Sequence, residues 1–203
     1  MDPVNIIFGV IILILSVIAH ELSHGYAADS LGDPTARLAG RLTLNPIKHI
    51  DPVGSLLIPL LSYSLGGFIF GWAKPVPYNP YNLRRGKTGE AIVAGAGIFT
   101  NTLLALFFGL IIRFFALSLP ASFVTLASIV VLTNIVLAIF NLIPVPPLDG
   151  SKILFSVLPL TFRGLQNNLE RWALPLLLFI VFFLWRFITP LVYFVFRIFT
   201  GLS

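Results

Sequence analysis

Residues 114–148 of this 203-residue chain contain no Asp, Glu, Lys, Arg or His. A run that long without a charge does not belong on a water-soluble domain, where about a quarter of all residues are charged. The whole chain follows the same pattern, at 57% hydrophobic and 10% charged, with its charges clumped. Stretches of about 20 apolar residues are long enough to cross a bilayer as helices. The chain therefore reads as an all-α polytopic membrane protein, folded as a single membrane-embedded domain over 1–203.

Four segments are expected to span: about 4–28, 89–117, 121–143 and 172–200. The first is read as a permanent helix and not a signal peptide, because no basic segment precedes it and no small-residue cleavage site follows. A fifth apolar stretch, 53–70, follows Asp51-Pro52 and contains Pro59 and Gly66-Gly67. Those breakers favour a broken or re-entrant element, giving about four to six transmembrane helices in all. Segment 37–45 alternates imperfectly up to Pro46 and is a candidate short β element. The Pro-, Asn- and Tyr-rich stretch 72–86 reads as a structured loop.

The charges test this layout. The net charge of +5 is no nucleic-acid signal, since the basic residues sit in short connections where lipid and topology account for them. Ten of the 13 fall in three clusters: Arg37, Arg41 and Lys48; Lys74, Arg84, Arg85 and Lys87; Lys152, Arg163 and Arg171. A re-entrant 53–70 puts all three on one side, which the positive-inside rule makes cytoplasmic. Arg186 lies mid-span in the last apolar stretch and must snorkel or face protein, with a kink or helix end expected near Pro190. There is no cysteine, so disulfides and thiolate metal sites are excluded.

Against this background His20-Glu21-Leu22-Ser23-His24 stands out. His20 and His24 share a helix face and can share a metal, while Glu21 lies about 100° around the helix. That arrangement suits zinc-assisted hydrolysis, in which a neighbouring carboxylate takes the proton of an activated water. Structural roles for these polar residues are the plainer alternative. Unpaired ionisable groups in a membrane helix are expensive, however, and a metal offsets the cost.

A catalytic zinc needs a third protein ligand. The choices are His49, Asp2, Asp29, Asp33, Asp51, Asp149, Glu90 and Glu170. Asp149 is favoured, because it follows the helix-stopping Pro144-Val145-Pro146-Pro147 and falls on the same side as His24. A helix N-cap is its alternative role. His49 and Asp51 could also approach, or form a turn-stabilising pair.

These residues resemble a known family. His20-Glu21-x-x-His24 with Asn141-x-x-Pro144-x-Pro146-x-Leu148-Asp149-Gly150 is similar to the site-2 protease family of intramembrane zinc metalloproteases. The segment Gly40-Arg41-Leu42-Thr43-Leu44-Asn45-Pro46, followed by His49-Ile50-Asp51-Pro52-x-Gly54, resembles its compact prokaryotic branch, as does Gly71-Trp72-Ala73-Lys74-Pro75-Val76-Pro77 with Asn79-Pro80. A third family pattern, Gly-Pro-x-x-Asn, occurs here as Gly97-Ile98-Phe99-Thr100-Asn101, with Ile98 in place of the proline. There is no room for a PDZ domain, so the chain looks like the membrane core alone.

The resemblance implies His20, His24 and Asp149 as ligands of Zn2+ and Glu21 as general base. The expected activity is hydrolysis of a peptide bond in or near a transmembrane segment of a membrane protein substrate. The setting is the lipid bilayer of a prokaryotic cell membrane, with the site toward the cytoplasm. Asn101 and Asn141 lie in apolar helices and are candidate substrate-binding or oxyanion donors, with interhelical hydrogen bonding as the alternative. A strand at 37–45 would hold the unwound substrate by strand addition. A membrane metal carrier, or an inactive scaffold, would use the same His and Asp residues differently.

Overall fold

Apolar residues without charges fold as long helices in this chain because the helix satisfies its own backbone hydrogen bonds, the condition for crossing lipid. In the computed structural model, which describes residues 3–58, 60, 64 and 71–202, four helices are long and apolar enough to cross a membrane. They are α1 (Pro3–Ser30), α3 (Gly86–Phe115), α4 (Ala121–Leu142) and α7 (Ala173–Thr200). Their bounds fall within a few residues of the expected spans. Between them lie the short helices α2 (Thr35–Leu38), α5 (Asp149–Val157) and α6 (Arg163–Arg171).

Helix ends follow local chemistry. Helix α4 stops at Leu142 because Ile143, the residue before Pro144, is forced to extended backbone at φ −61°, ψ 128°. The chain then turns through a cis Pro146-Pro147 bond into α5. At the other end of the bundle, Arg113 Nη1 donates to Ile198 O at 2.6 Å, tying the end of α3 to the end of α7. Small and β-branched side chains let the spans pack closely, with Ala105 and Ile112 of α3, Ala127, Val131 and Ile135 of α4 and Val192 of α7 forming one buried cluster.

Two expectations are corrected. Segment 37–45 is not a strand: Arg37 and Leu38 close α2, and Asn45 caps the next turn by accepting from Ile47 N at 3.1 Å. Capping side chains and local turns satisfy this backbone, and no strand occurs among the described residues. Strand addition at this place drops out with it. Of the kink or helix end expected near Pro190, the end does not occur, since the helix Trp185–Thr200 runs through it. The irregular turn lies earlier, as a π-helical turn at Ile180–Leu184, and the Arg186 guanidinium sits over the Phe187 ring, 5.3 Å from its centroid.

Most of 53–70 lies outside the described residues, and so does its expected re-entrant course. Its ends are described, and they meet. Trp72 N donates to Gly54 O at 3.0 Å, Ser55 Oγ to Trp72 O at 2.9 Å and Lys74 N to His49 O at 2.8 Å. Residues 54 and 72 are therefore neighbours.

Candidate metal centre

Helical spacing sets His20 and His24 on one face of α1, their rings edge to face with centroids 4.6 Å apart. Both are buried. Each ring is held from behind by α3. His20 Nδ1 donates to Asn101 Oδ1 at 2.5 Å, and His24 Nδ1 donates to Val93 O at 2.7 Å. Neither oxygen can donate, so each imidazole carries its proton on Nδ1 and presents a bare Nε2. The orientation of Asn101 is itself fixed, because its amide nitrogen serves Asn134 Oδ1 at 2.8 Å and Ser16 O at 3.4 Å. Asn134 in turn donates to Ser16 Oγ at 3.0 Å and Val130 O at 2.9 Å. Three spans thus share one fully satisfied polar network behind the histidines.

Asp149 completes the group from α5. Leu148 is the N-cap of that helix, so the Asp149 side chain is released from capping. Its Oδ2 lies 3.0 Å from His20 Nε2 and 3.1 Å from His24 Nε2. Two neutral imidazoles and a carboxylate therefore direct lone pairs at one point. Such a set is repulsive alone and is resolved by a cation. A tetrahedral zinc with bonds of 2.0–2.2 Å holds neighbouring donor atoms about 3.3 Å apart, close to these separations, and N/O donors suit it. The residues fit zinc.

Two further groups complete the electrostatics. Lys152, one turn along α5, brings Nζ to 3.4 Å from Asp149 Oδ1 and leaves Oδ2 to the histidines. Burial works against ionising Asp149, and the neighbouring charge of Lys152 works for it. Burial likewise works against the Lys152 charge, and Asp149 more than restores it. Glu21 has its ligand atom within 4.8 Å of those of His20 and His24, and its Oε2 accepts from Val76 N at 2.8 Å. It stands beside the centre with one oxygen already engaged.

Five of the other candidates are occupied elsewhere. His49 Nε2 donates to Thr43 O at 2.8 Å, and Asp51 caps the turn after it by accepting from Val53 N and Gly54 N. Asp33 is wrapped by Thr35, Asn79 and Asn82, Asp29 faces Arg37, and Glu170 accepts from Gln166. Asp2 lies outside the described residues. Asn141 donates to Leu137 O of its own helix at 3.0 Å. Sequence reasoning missed Asn134 and Ser16. The available signal was that they, like Asn101, are hydrogen-bonding side chains within predominantly apolar spans.

A zinc-fitting centre with a flanking carboxylate, built between membrane-spanning helices, defines a membrane-embedded zinc metalloprotease. The comparisons agree. The family model for Peptidase family M50 matches residues 112–184. YwhC of Bacillus subtilis (strain 168), named a zinc metalloprotease, is 40% identical over 189 residues, covering 90% of this chain and 80% of that one. Rip2 of Mycolicibacterium smegmatis, similarly named, is 34% identical over 206 residues, covering 96% of this chain and 76% of that one. Rip2 of Mycobacterium tuberculosis (strain H37Rv) is 28% identical over 166 residues, covering 81% and 62%. No solved structure matches. The chain belongs to peptidase family M50, the site-2 protease family. It is a zinc metalloprotease, which sets aside the carrier and scaffold readings.

Proposed function

We propose that the whole chain is one intramembrane protease domain that hydrolyses a peptide bond in or near a transmembrane segment of another membrane protein. His20, His24 and Asp149 hold the zinc, and Glu21 is the general base. The observation that carries this reading is the convergence of both Nε2 atoms on Asp149 Oδ2, with Glu21 alongside. Depth supports the choice of substrate. His20 lies ten residues before the last residue of α1, about 15 Å along the helix, which supports a centre within the span and not at its tip. The three basic clusters support a cytoplasm-facing site, and the resemblance supports a prokaryotic membrane.

Bound zinc supplies Lewis acidity that polarises a carbonyl and makes water nucleophilic near neutral pH. The chain's own residues do the rest. Glu21 accepts the proton of the attacking water and returns it to the leaving amine. Asn101 and Val93 O keep the imidazoles in the ligating tautomer. The amide nitrogen of Asn101 is spent on Asn134 and Ser16, so its part is support for His20 and not donation to an oxyanion. Asn141 uses its nitrogen within α4 and offers its oxygen to a substrate backbone N–H.

Zinc per chain, measured in detergent-solubilised protein, tests the ligand set. About one equivalent is expected in wild type and in His49→Ala, with loss in Asp149→Ala. Retention in Asp149→Ala with loss in His49→Ala would move the third ligand to His49. Cleavage is then followed with a fluorescent single-span reporter in proteoliposomes, where Glu21→Gln should be inactive.

A further inference from the structure

The carboxylate of a glutamate turns freely about its last torsion, which has broad wells and not sharp rotamers. A general base needs that torsion fixed. Among the described residues Glu21 has one hydrogen bond, from Val76 N at 2.8 Å, and that donor sits in an unusual sequence context. In Pro75-Val76-Pro77 the flanking prolines have no N–H, so Val76 carries the only backbone donor of the three. Proline after Val76 also disfavours helical backbone there. The segment therefore offers a single donor from an extended strap, and it is aimed at the carboxylate.

The strap is pinned on both sides of that donor. Before it, Lys74 N donates to His49 O at 2.8 Å, and the buried Arg41 gives Nη2 to Lys74 O at 2.9 Å and Pro75 O at 3.3 Å. After it, Asn79 N donates to Asp33 Oδ2 at 2.6 Å. Helix α1 is notched to receive it. Gly25 lies one turn beyond Glu21 on the same face, and a Cβ there would stand 2.9 Å from Val76 Cγ1 and 2.5 Å from Leu42 Cδ2. A side chain at 25 would have to displace the Val76 and Leu42 side chains at the level of Glu21.

We propose that this strap is a positioning element of the catalytic site. The Val76 N–H fixes Oε2 of Glu21 and so aims Oε1 at the reacting water, while Arg41 and Gly25 act through the strap and touch no substrate. The inference rests on Glu21 being the general base.

Amide hydrogen exchange on 15N-valine and 15N-lysine labelled protein in micelles reads the bond without any substrate. The Val76 amide should be protected in wild type and exchange at least tenfold faster in Glu21→Ala, while the Lys74 amide is unchanged. Equal Val76 exchange in the two proteins would overturn the proposal. Cleavage of the single-span reporter supplies the second arm. Val76→Pro removes the donor and should lower kcat by tenfold or more, toward the roughly hundredfold loss of a 1 Å misplacement, with KM and zinc per chain unchanged. Val76→Ala restores the N–H and should recover most of that loss. If Val76→Ala is as slow as Val76→Pro, side-chain packing and not the donor is at work, and the proposal fails. If Glu21→Gln cleaves as fast as wild type, the general-base reading falls first, and the strap inference with it. An inactive Glu21→Gln beside a fully active Val76→Pro sinks the strap alone.

Discussion

Asn101 Oδ1 and His20 Nδ1 meet at 2.5 Å although they lie 81 residues apart, one on each of two membrane helices. Removing the acceptor leaves an imidazole N–H unpaired in a buried site and frees the ring to turn. Partners of this kind typically contribute ten- to a hundredfold to metal affinity. Asn101→Ala should therefore weaken zinc binding by about that factor, measured by competition with a chelator. Asn134→Leu should act in the same direction and less, because it reaches His20 only through Asn101.

Glu21→Gln keeps the size of the side chain and removes its basicity. Zinc per chain should stay at the wild-type value. Reporter cleavage should fall by about 10²- to 10⁴-fold, the usual contribution of a general base. Zinc loss in this variant would make Glu21 a ligand and not a base.

Gly97 packs directly against the His20 ring. A Cβ there would lie 2.5 Å from His20 Cε1 and 2.6 Å from Nε2, closer than real contacts permit. Gly97→Ala must displace the ring, and overpacking typically costs about 1–3 kcal/mol. Lower thermal stability and weaker zinc binding should appear together. A stable variant with unchanged affinity would show that the ring has room to retreat.

Asp33 gives the strap its acid limit. Burial disfavours its charge, but donors from Thr35, Asn82 and Asn79 outweigh burial and hold its pKa below the ordinary 3.8. A carboxyl depressed on folding contributes stability that is present above the unfolded value and lost as pH falls through the folded one. Melting temperature should therefore drop below about pH 4, with part of the drop abolished in Asp33→Asn. An unchanged acid limb in Asp33→Asn would place the loss elsewhere.

Much of this was legible before any coordinates. Runs without charge announce spans because lipid tolerates little else, and His20, Glu21 and His24 announce a metal through helical spacing alone. Asp149 was readable from the proline turn that delivers it to the same side. What stayed hidden depends on long-range partners. Asn101 reads equally as a substrate donor or a helix–helix bond until its nitrogens are seen on Asn134 and Ser16. Segment 37–45 has a strand-like alternation, which Thr43 and Asn45 override through local capping. The strap's contact with Glu21 comes from a backbone N–H, and residue identity says nothing of where such a group points.

The network of Ser16, Asn101 and Asn134 also bears on how the molecule is made. Each side chain is fully inside, and each depends on a partner carried by another span. A span delivered singly into lipid carries an amide or hydroxyl with nothing outside its own helix to bind, which favours its capture by the next. The histidine carried by α1 acquires its support only once α3 has docked, and α3 is braced only once α4 has. Full zinc affinity is thereby tied to assembly: the ring that meets the metal is held in place only when the spans behind it are packed together.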